Sequence, residues 1–430
     1  MNYYSLNGNA PKVSFKAAVI NGIAPDRGLY FPSEIDPLPA TFFDTIETLS
    51  NHEIAFRAIH QFVKEDLTDS ALKEILSQVL DFDFPVVPID DSTGTLELFH
   101  GPTMAFKDVG ARFMAQCLGY FSKNTRNEVT VLVATSGDTG GAVANGFLGV
   151  EGVQVVILYP DGKVSDIQER QLTTLGQNIT ALKVAGTFDD CQKMVKTAFL
   201  DEALLEHMKL TSANSINVAR WLPQLFYFLF AYKQAKKEGK EIVFSVPSGN
   251  FGNICAGMVA YKLGMPVKHF VAATNANDTV PKFMKTGAYE PKPSTATISN
   301  AMDVGDPSNF VRIRHLFQND HGLLEQMLSS YSFTDDQTRE AMKSIYKNGE
   351  YIADPHGAVG YLGLKKYVSE HPNTYGIFLE TAHPVKFLDV VEDALGISPD
   401  IPPQIQKVLG KEKHAKPIVS YDELKAHLLE

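Results

Sequence analysis

The sequence predicts a doubly wound α/β fold, with parallel sheets in two lobes behind a mainly helical N-terminal region. From about residue 129 onward, short β-branched runs alternate with stretches of helical period, the pattern of a parallel sheet covered by helices. Several of these runs are apolar at every position, as strands buried between two helix layers must be. At 430 residues the chain also exceeds what one hydrophobic core ordinarily organises, which favours lobes that share a cleft.

In chain order, residues 1–90 carry turn clusters (APDRGLYFP, EIDPLPATF) and amphipathic pieces (HEIAFRAIHQFVKE, SALKEILSQVL), read as the mixed, mainly helical region. Residues 91–430 form the predicted α/β region, with a smaller lobe around 110–215 and a larger one around 216–430. Its predicted strands are VTVLVA (129–134), VQVVILY (153–159), ITALKVA (179–185), EIVFSV (241–246), VKHFVAA (267–273) and YGIFLE (375–380). Helical stretches fall at Phe188–Met208, Val218–Glu238, Asp335–Lys347 and Ala358–Ser369. Trp221 with Phe226, Tyr227, Phe228 and Phe230 reads as one buried helix face. ISPDIPPQI (397–405) marks a turn before a short tail, and no internal repeat or low-complexity tract occurs.

Composition narrows the partners. A formal net charge of −11 removes the cationic field expected of a nucleic-acid or anionic-membrane binder. The densest apolar run, Leu225–Tyr232, is far too short to span a bilayer, and the N-terminus lacks the pattern of a secretory signal. Cys117, Cys191 and Cys255 are spaced neither as metal ligands nor as a disulfide framework. The expectation is a cytoplasmic protein with reduced thiols, no metal, and a small-molecule substrate held by local groups.

In an open parallel sheet, ligands bind beyond the carboxyl ends of the strands. Three loops stand there: TSGDTGGA (135–142), PSGNFGN (247–253) and TAHP (381–384). PSGNFGN runs into a helical pattern, so it reads either as a cradle of backbone N–H groups for a phosphate or as a tight turn needing positive φ at Gly249 and Gly252. Neither a GxxxxGK[ST] loop nor a GxGxxG fingerprint is present, which points away from nucleotides. Upstream, Lys107 lies among small and apolar residues at the start of a helical pattern. A desolvated lysine there is a nucleophile or base, whereas a solvated one beside Asp108 is neither.

HGPTMAFKD (100–108), ATSGDTG, SANSIN (212–217), VPSGNFGN, NDTVP and TAHP occur in the order that resembles the threonine synthase family, with the match beginning at GIAPDRGLYFP (22–32). The resemblance is to the bacterial and fungal branch and covers essentially the whole chain. It implies a fold-type-II enzyme that uses pyridoxal 5'-phosphate to convert O-phospho-L-homoserine and water to L-threonine and phosphate. By motif, Lys107 then matches the lysine that links covalently to the cofactor. Gly249, Asn250, Phe251, Gly252 and Asn253 match the cofactor-phosphate cup, and Thr381 the hydroxyl facing the pyridine nitrogen. Thr135, Ser136, Asp138 and Thr139 match the segment that holds the substrate carboxylate. Asp138 departs from the wider superfamily, where Asn is common beside the cofactor's phenolic oxygen; an ionised Asp only accepts hydrogen bonds.

Lys163, Arg112 and SANSIN read as contacts for a substrate phosphate or as solvated surface, and His100, His356 and His383 as structural hydrogen-bond partners. A serine/threonine dehydratase or sulfhydrylase sharing the lysine, a phospho-lyase that stops before water addition, and a non-catalytic phosphate-ligand binder remain as alternatives. The oligomeric state is not legible.

Overall fold

The computed structural model describes residues 1–123 and 128–430. Among them, two parallel-type sheets form the frame. The larger has six strands in the order Leu328–Ser332, His269–Thr274, Glu241–Pro247, Thr374–Glu380, Thr93–Glu97 and Val86–Asp90. All its neighbours pair in parallel except the last two, which are antiparallel. The smaller sheet is parallel throughout, in the order Lys416–Ile418, Ile179–Val184, Val153–Pro160, Val129–Ala134 and Lys209–Ser212. All six predicted strands are present.

Strand order reverses once in each sheet. In the larger, the chain runs outward from Glu241–Pro247 to His269–Thr274 and Leu328–Ser332, then returns to place Thr374–Glu380 on the other side. In the smaller, Val129–Ala134 has Val153–Pro160 on one side and Lys209–Ser212 on the other. At such a reversal the following loops diverge and leave a crevice. The predicted functional loops therefore leave strands that flank these two crevices, together with the loop after Lys209–Ser212.

The N-terminal region pairs Tyr3–Ser5 with Tyr30–Pro32 and adds helices Phe15–Asn21, Ala40–Asp44, Asn51–Val63 and Asp69–Val79. Ser14, Ser50 and Thr68 each accept a first-turn amide at a helix start, as N-cap residues do. Two predicted helices are interrupted. Phe188–Met208 breaks because Asp201 caps a second helix, accepting from the Ala203 and Leu204 amides. Val218–Glu238 tightens to a 3₁₀ turn at Leu222–Gln224, where Pro223 cannot donate. We propose lobes around 110–215 and 216–430 as the working division; by strand pairing, residues 416–418 join the smaller sheet and residues 86–97 the larger.

The main core lies around the helix Leu225–Ala235, whose Phe226, Tyr227, Phe228 and Phe230 are fully buried. Phe228 meets Phe244 edge-on at 5.1 Å between centroids and Phe270 at 5.9 Å, so it joins helix to sheet. Gly257 makes this approach possible, since a Cβ there would sit 2.7 Å from the Phe228 ring. Among the described residues no helix is long and apolar enough to cross a membrane, and no cluster of side chains is suited to a metal. The three cysteines are buried and unpaired. Replacing Phe228 with Ala should cost about 3–5 kcal/mol, because the cavity would lie where helix and sheet meet. Urea unfolding of the two proteins checks this; equal midpoints would show that the packing does not depend on the ring.

Candidate active site

Lys107 is the first residue of the helix Lys107–Ser122, and the turn before it is fixed from several sides. Asp108 is buried and accepts from the Thr103 amide at 2.9 Å and the Thr103 hydroxyl at 2.5 Å. Gly101 allows that close packing, since a Cβ there would sit 2.5 Å from Asp108 Oδ2. The Phe106 amide donates to the Thr381 carbonyl at 2.8 Å, and the Tyr227 hydroxyl donates to the Phe106 carbonyl. Ala105 and Ala382 form an antiparallel bridge, and the His383 amide donates to the Met104 carbonyl at 3.1 Å. These bonds lock the lysine-bearing turn onto the loop holding Thr381. The alternative of a solvated lysine beside a solvated Asp108 falls with them.

Burial pulls the Lys107 amine down to about 8; Asp138 works against this, while Lys386 and Arg220 add to it. Mostly protonated at pH 7, such an amine nonetheless keeps a far larger unprotonated fraction than an ordinary lysine, and a nucleophile or base requires that fraction. Burial also works against the charge of Asp138, but Lys386 and Lys107 outweigh it and hold the carboxyl well below its usual range. Lys386 Nζ lies 2.6 Å from Asp138 Oδ1, and Gln168 Nε2 donates to the same oxygen at 3.0 Å.

The PSGNFGN loop follows the strand Glu241–Pro247 and starts the helix Gly252–Lys262. Positive φ falls on Phe251, at 59°, and on neither Gly249 nor Gly252. The tight-turn alternative therefore misplaces the conformational demand. The glycines serve close approach: a Cβ on Gly249 would sit 2.8 Å from Met302 Cα, and one on Gly252 3.3 Å from Asn309 Nδ2. The amides of residues 249–253 meet no acceptor among the described residues, and the last of them open a helix, an arrangement suited to an anion. Asn250 Nδ2 donates to Ser215 Oγ at 3.1 Å, its Oδ1 accepts from the Ser308 amide at 2.6 Å, and Asn253 Nδ2 donates to the Pro247 carbonyl at 2.9 Å.

The TSGDTG loop opens the helix Asp138–Phe147. Gly137 is held at φ 140°, and a Cβ there would sit 2.5 Å from the Gln168 carboxamide. The Thr135 hydroxyl is used inside the loop, accepting from the Gly137 and Gly140 amides at 3.0 and 2.9 Å. Asp138 is held by Lys386. Ser136 and Thr139, both half-buried, have no side-chain hydrogen bond to a described residue. The SANSIN segment ties the loops together: Asn214 Nδ2 donates to the Ala134 carbonyl at 3.3 Å, and Ser215 Oγ accepts from Asn250 and Asn309.

Two suggested cations lie elsewhere. Lys163 is exposed, and Arg112 forms a paired contact with the Asp81 carboxylate. Two residues were missed in the sequence: Lys386, which holds Asp138, and Arg220, 2% exposed, whose Nε and Nη1 have no hydrogen-bond partner. Burial pulls its guanidinium down to about 10. Inside a helix that reads as apolar core, nothing in the sequence marks an arginine as unpaired. His100 pairs with Glu97, His356 with Asp354, and His383 Nδ1 accepts from the Val385 amide, as structural partners do.

Two open α/β sheets, a half-buried lysine with a desolvated amine at a helix start and an amide cradle after a neighbouring strand define a fold-type-II pyridoxal-phosphate enzyme. The profile described as "Pyridoxal-phosphate dependent enzyme" matches residues 95–375, "Threonine synthase N terminus" residues 2–79, and "Threonine synthase, C-terminal" residues 357–427. Threonine synthase of Escherichia coli (strain K12) is 43% identical over 406 residues, 94% of each chain. That of Saccharomyces cerevisiae is 36% identical over 456 residues, covering 91% of this chain and 89% of the yeast protein. The crystal structure of Escherichia coli threonine synthase superposes with a TM-score of 0.93 at 40% identity, covering 100% of this chain and 99% of that one. The structure titled as pyridoxal-phosphate-bound threonine synthase from Brucella melitensis gives 0.93 at 31% identity, covering 100% and 98%. The chain belongs to the threonine synthase family.

Pyridoxal 5'-phosphate is the cofactor, and the residues present fit it: unpartnered amides suit its phosphate, and a lysine of lowered proton affinity suits its aldehyde. Replacing Gly252 with Val should weaken cofactor retention about tenfold, or ~1.4 kcal/mol, by pressing on Ser215 and Asn309 at the cup. Equilibrium dialysis checks this, with thermal unfolding of the cofactor-free protein as control. Loss of fold with undiminished cofactor binding in the remaining folded fraction would return Gly252 to a turn role.

Proposed function

We infer that the chain converts O-phospho-L-homoserine and water to L-threonine and phosphate. The observation that carries this is Arg220, a buried guanidinium with unpartnered donors and close enough to Lys107 to lower its proton affinity. With the cup taken by the cofactor phosphate and the TSGDTG amides suited to a carboxylate, a further buried cation calls for a second anionic group on the substrate. A dehydratase or sulfhydrylase substrate with one carboxylate would leave it unsatisfied.

Bound at this site, the cofactor withdraws electrons from the substrate's Cα. With it bound, the Lys107 amine would take the α-proton and then a β-proton as the γ-phosphate leaves, and would return one proton to Cγ and one to Cα, while water adds its hydroxyl at Cβ and its remaining proton goes to the released phosphate. The amides at 249–253 hold the cofactor phosphate, and Asn250 orders the cup through Ser215 and Ser308. Ser136, Thr139 and the nearby loop amides orient the substrate carboxylate, leaving Thr135 and Asp138 to shape the loop. Thr381, buried at the end of the central strand, offers a neutral hydroxyl to the pyridine nitrogen. A cytoplasmic setting suits three buried, unpaired thiols.

Incubation with O-phospho-L-homoserine should yield L-threonine and phosphate in equal amounts. Phosphate with 2-oxobutanoate and no threonine would make the chain a phospho-lyase. Arg220→Gln should raise KM for the substrate about tenfold or more, the size of a lost charge-assisted contact, with cofactor retention unchanged. An unchanged KM would remove Arg220 from the substrate. Thr381→Asp should shift the holoenzyme's absorption and depress turnover while the fold is kept, because a carboxylate favours a protonated ring. Unchanged spectra and turnover would place Thr381 away from the ring.

A further inference from the structure

A buried ammonium is costly unless paired, and Lys386 is fully buried at the 3₁₀ turn Pro384–Phe387, just after the loop that carries Thr381. Its Nζ contacts Asp138 Oδ1 at 2.6 Å and donates to the Thr103 carbonyl at 3.0 Å. Thr103 is the residue whose amide and hydroxyl fix Asp108, next to Lys107. Lys386 thus joins three segments around Lys107: the turn before its helix, the TSGDTG loop and the segment after Thr381. An ionised Asp has no hydrogen to donate and only accepts. Its acceptor capacity faces two lysines.

We propose that Lys386 is a positioning residue: paired with Asp138, it keeps a carboxylate facing Lys107 and offsets that carboxylate's charge, so that the two together set how tightly the Lys107 nitrogen holds its proton. The groups facing Lys107 are Asp138, Lys386 and Arg220; those facing Asp138 are Lys107, Lys386 and Gln168. Asp108, which also faces Lys386, is occupied by Thr103. Arg220 is a constant background in the comparison below. Within this set Asp138 raises the proton affinity of Lys107 and Lys386 lowers it. Removing either alone leaves the other uncompensated, and the two losses have opposite signs. This rests on Lys107 as the cofactor-bearing lysine for its spectroscopic readout, although the charge network itself does not.

The test uses Lys386→Gln, Asp138→Asn and the double variant as holoenzymes, followed by the pH midpoint of the visible absorption. Lys386→Gln should move the midpoint up and Asp138→Asn should move it down, each by about one unit, the effect of a single nearby charge. The double variant should return close to wild type. Movement of both single variants in one direction, or a Lys386→Gln midpoint no higher than wild type, would overturn the proposal. Should Lys386→Gln fail to fold, the downward shift in Asp138→Asn and its reversal in the double variant decide the matter, and absence of either counts against it. The same order should hold for the pH dependence of Lys107 acylation by acetic anhydride in cofactor-stripped protein, read by peptide mass. That ordering without any cofactor on Lys107 would sink only the cofactor assignment. Cofactor on Lys107 without the ordering would sink only the network.

Discussion

The hydrogen bond from the Phe106 amide to the Thr381 carbonyl, with the Ala105–Ala382 bridge beside it, is the constraint on which the site depends. It fastens the turn before Lys107 to the end of the strand Thr374–Glu380, within the larger sheet. With the other bonds on the same turn, it fixes the lysine relative to the loop after the neighbouring strand. Tyr227 closes the same point from the core helix by donating to the Phe106 carbonyl. Catalytic geometry needs side chains held by packing and by further hydrogen bonds, and here backbone groups supply much of that hold.

A second set of bonds spans the two sheets. Asn214 reaches the Ala134 carbonyl beside the TSGDTG loop, while Ser215 accepts from Asn250 in the cup. One short segment after Lys209–Ser212 therefore joins both loops. The electrostatics follow the same division of labour: Asp138 and Lys386 satisfy each other, while Arg220 keeps unpartnered donors. Buried donors left without partners are costly to the fold, which is why those of Arg220, near Lys107, carry functional weight.

Much of this was legible in the sequence because parallel strands buried on both faces leave apolar, β-branched runs, and the loops after them are rich in small and polar residues. Val129–Ala134, Glu241–Pro247 and Thr374–Glu380 show this directly. Leu328–Ser332 escaped because an edge strand reading LSSYS has neither the apolar run nor a clear alternation. The break at Asp201 was hidden because an aspartate within a helical pattern reads as surface until its cap is seen. Lys107 was marked by its motif, whereas Arg220 and Lys386 were not, since their roles depend on partners distant in sequence. The cup loop was readable as glycine-rich, but neither the positive φ at Phe251 nor the close approach of Met302 and Asn309 to the glycines was, since both depend on contacts distant in sequence.

The central claim is that Lys107, fixed between these loops, is the residue that carries the cofactor. Borohydride reduction of the holoenzyme, followed by digestion and peptide mass mapping, tests it most directly. The pyridoxyl group should be found on the peptide containing Lys107, at close to one per chain. Its recovery on another lysine, with the nearby buried Lys386 the sharpest alternative, would contradict the account.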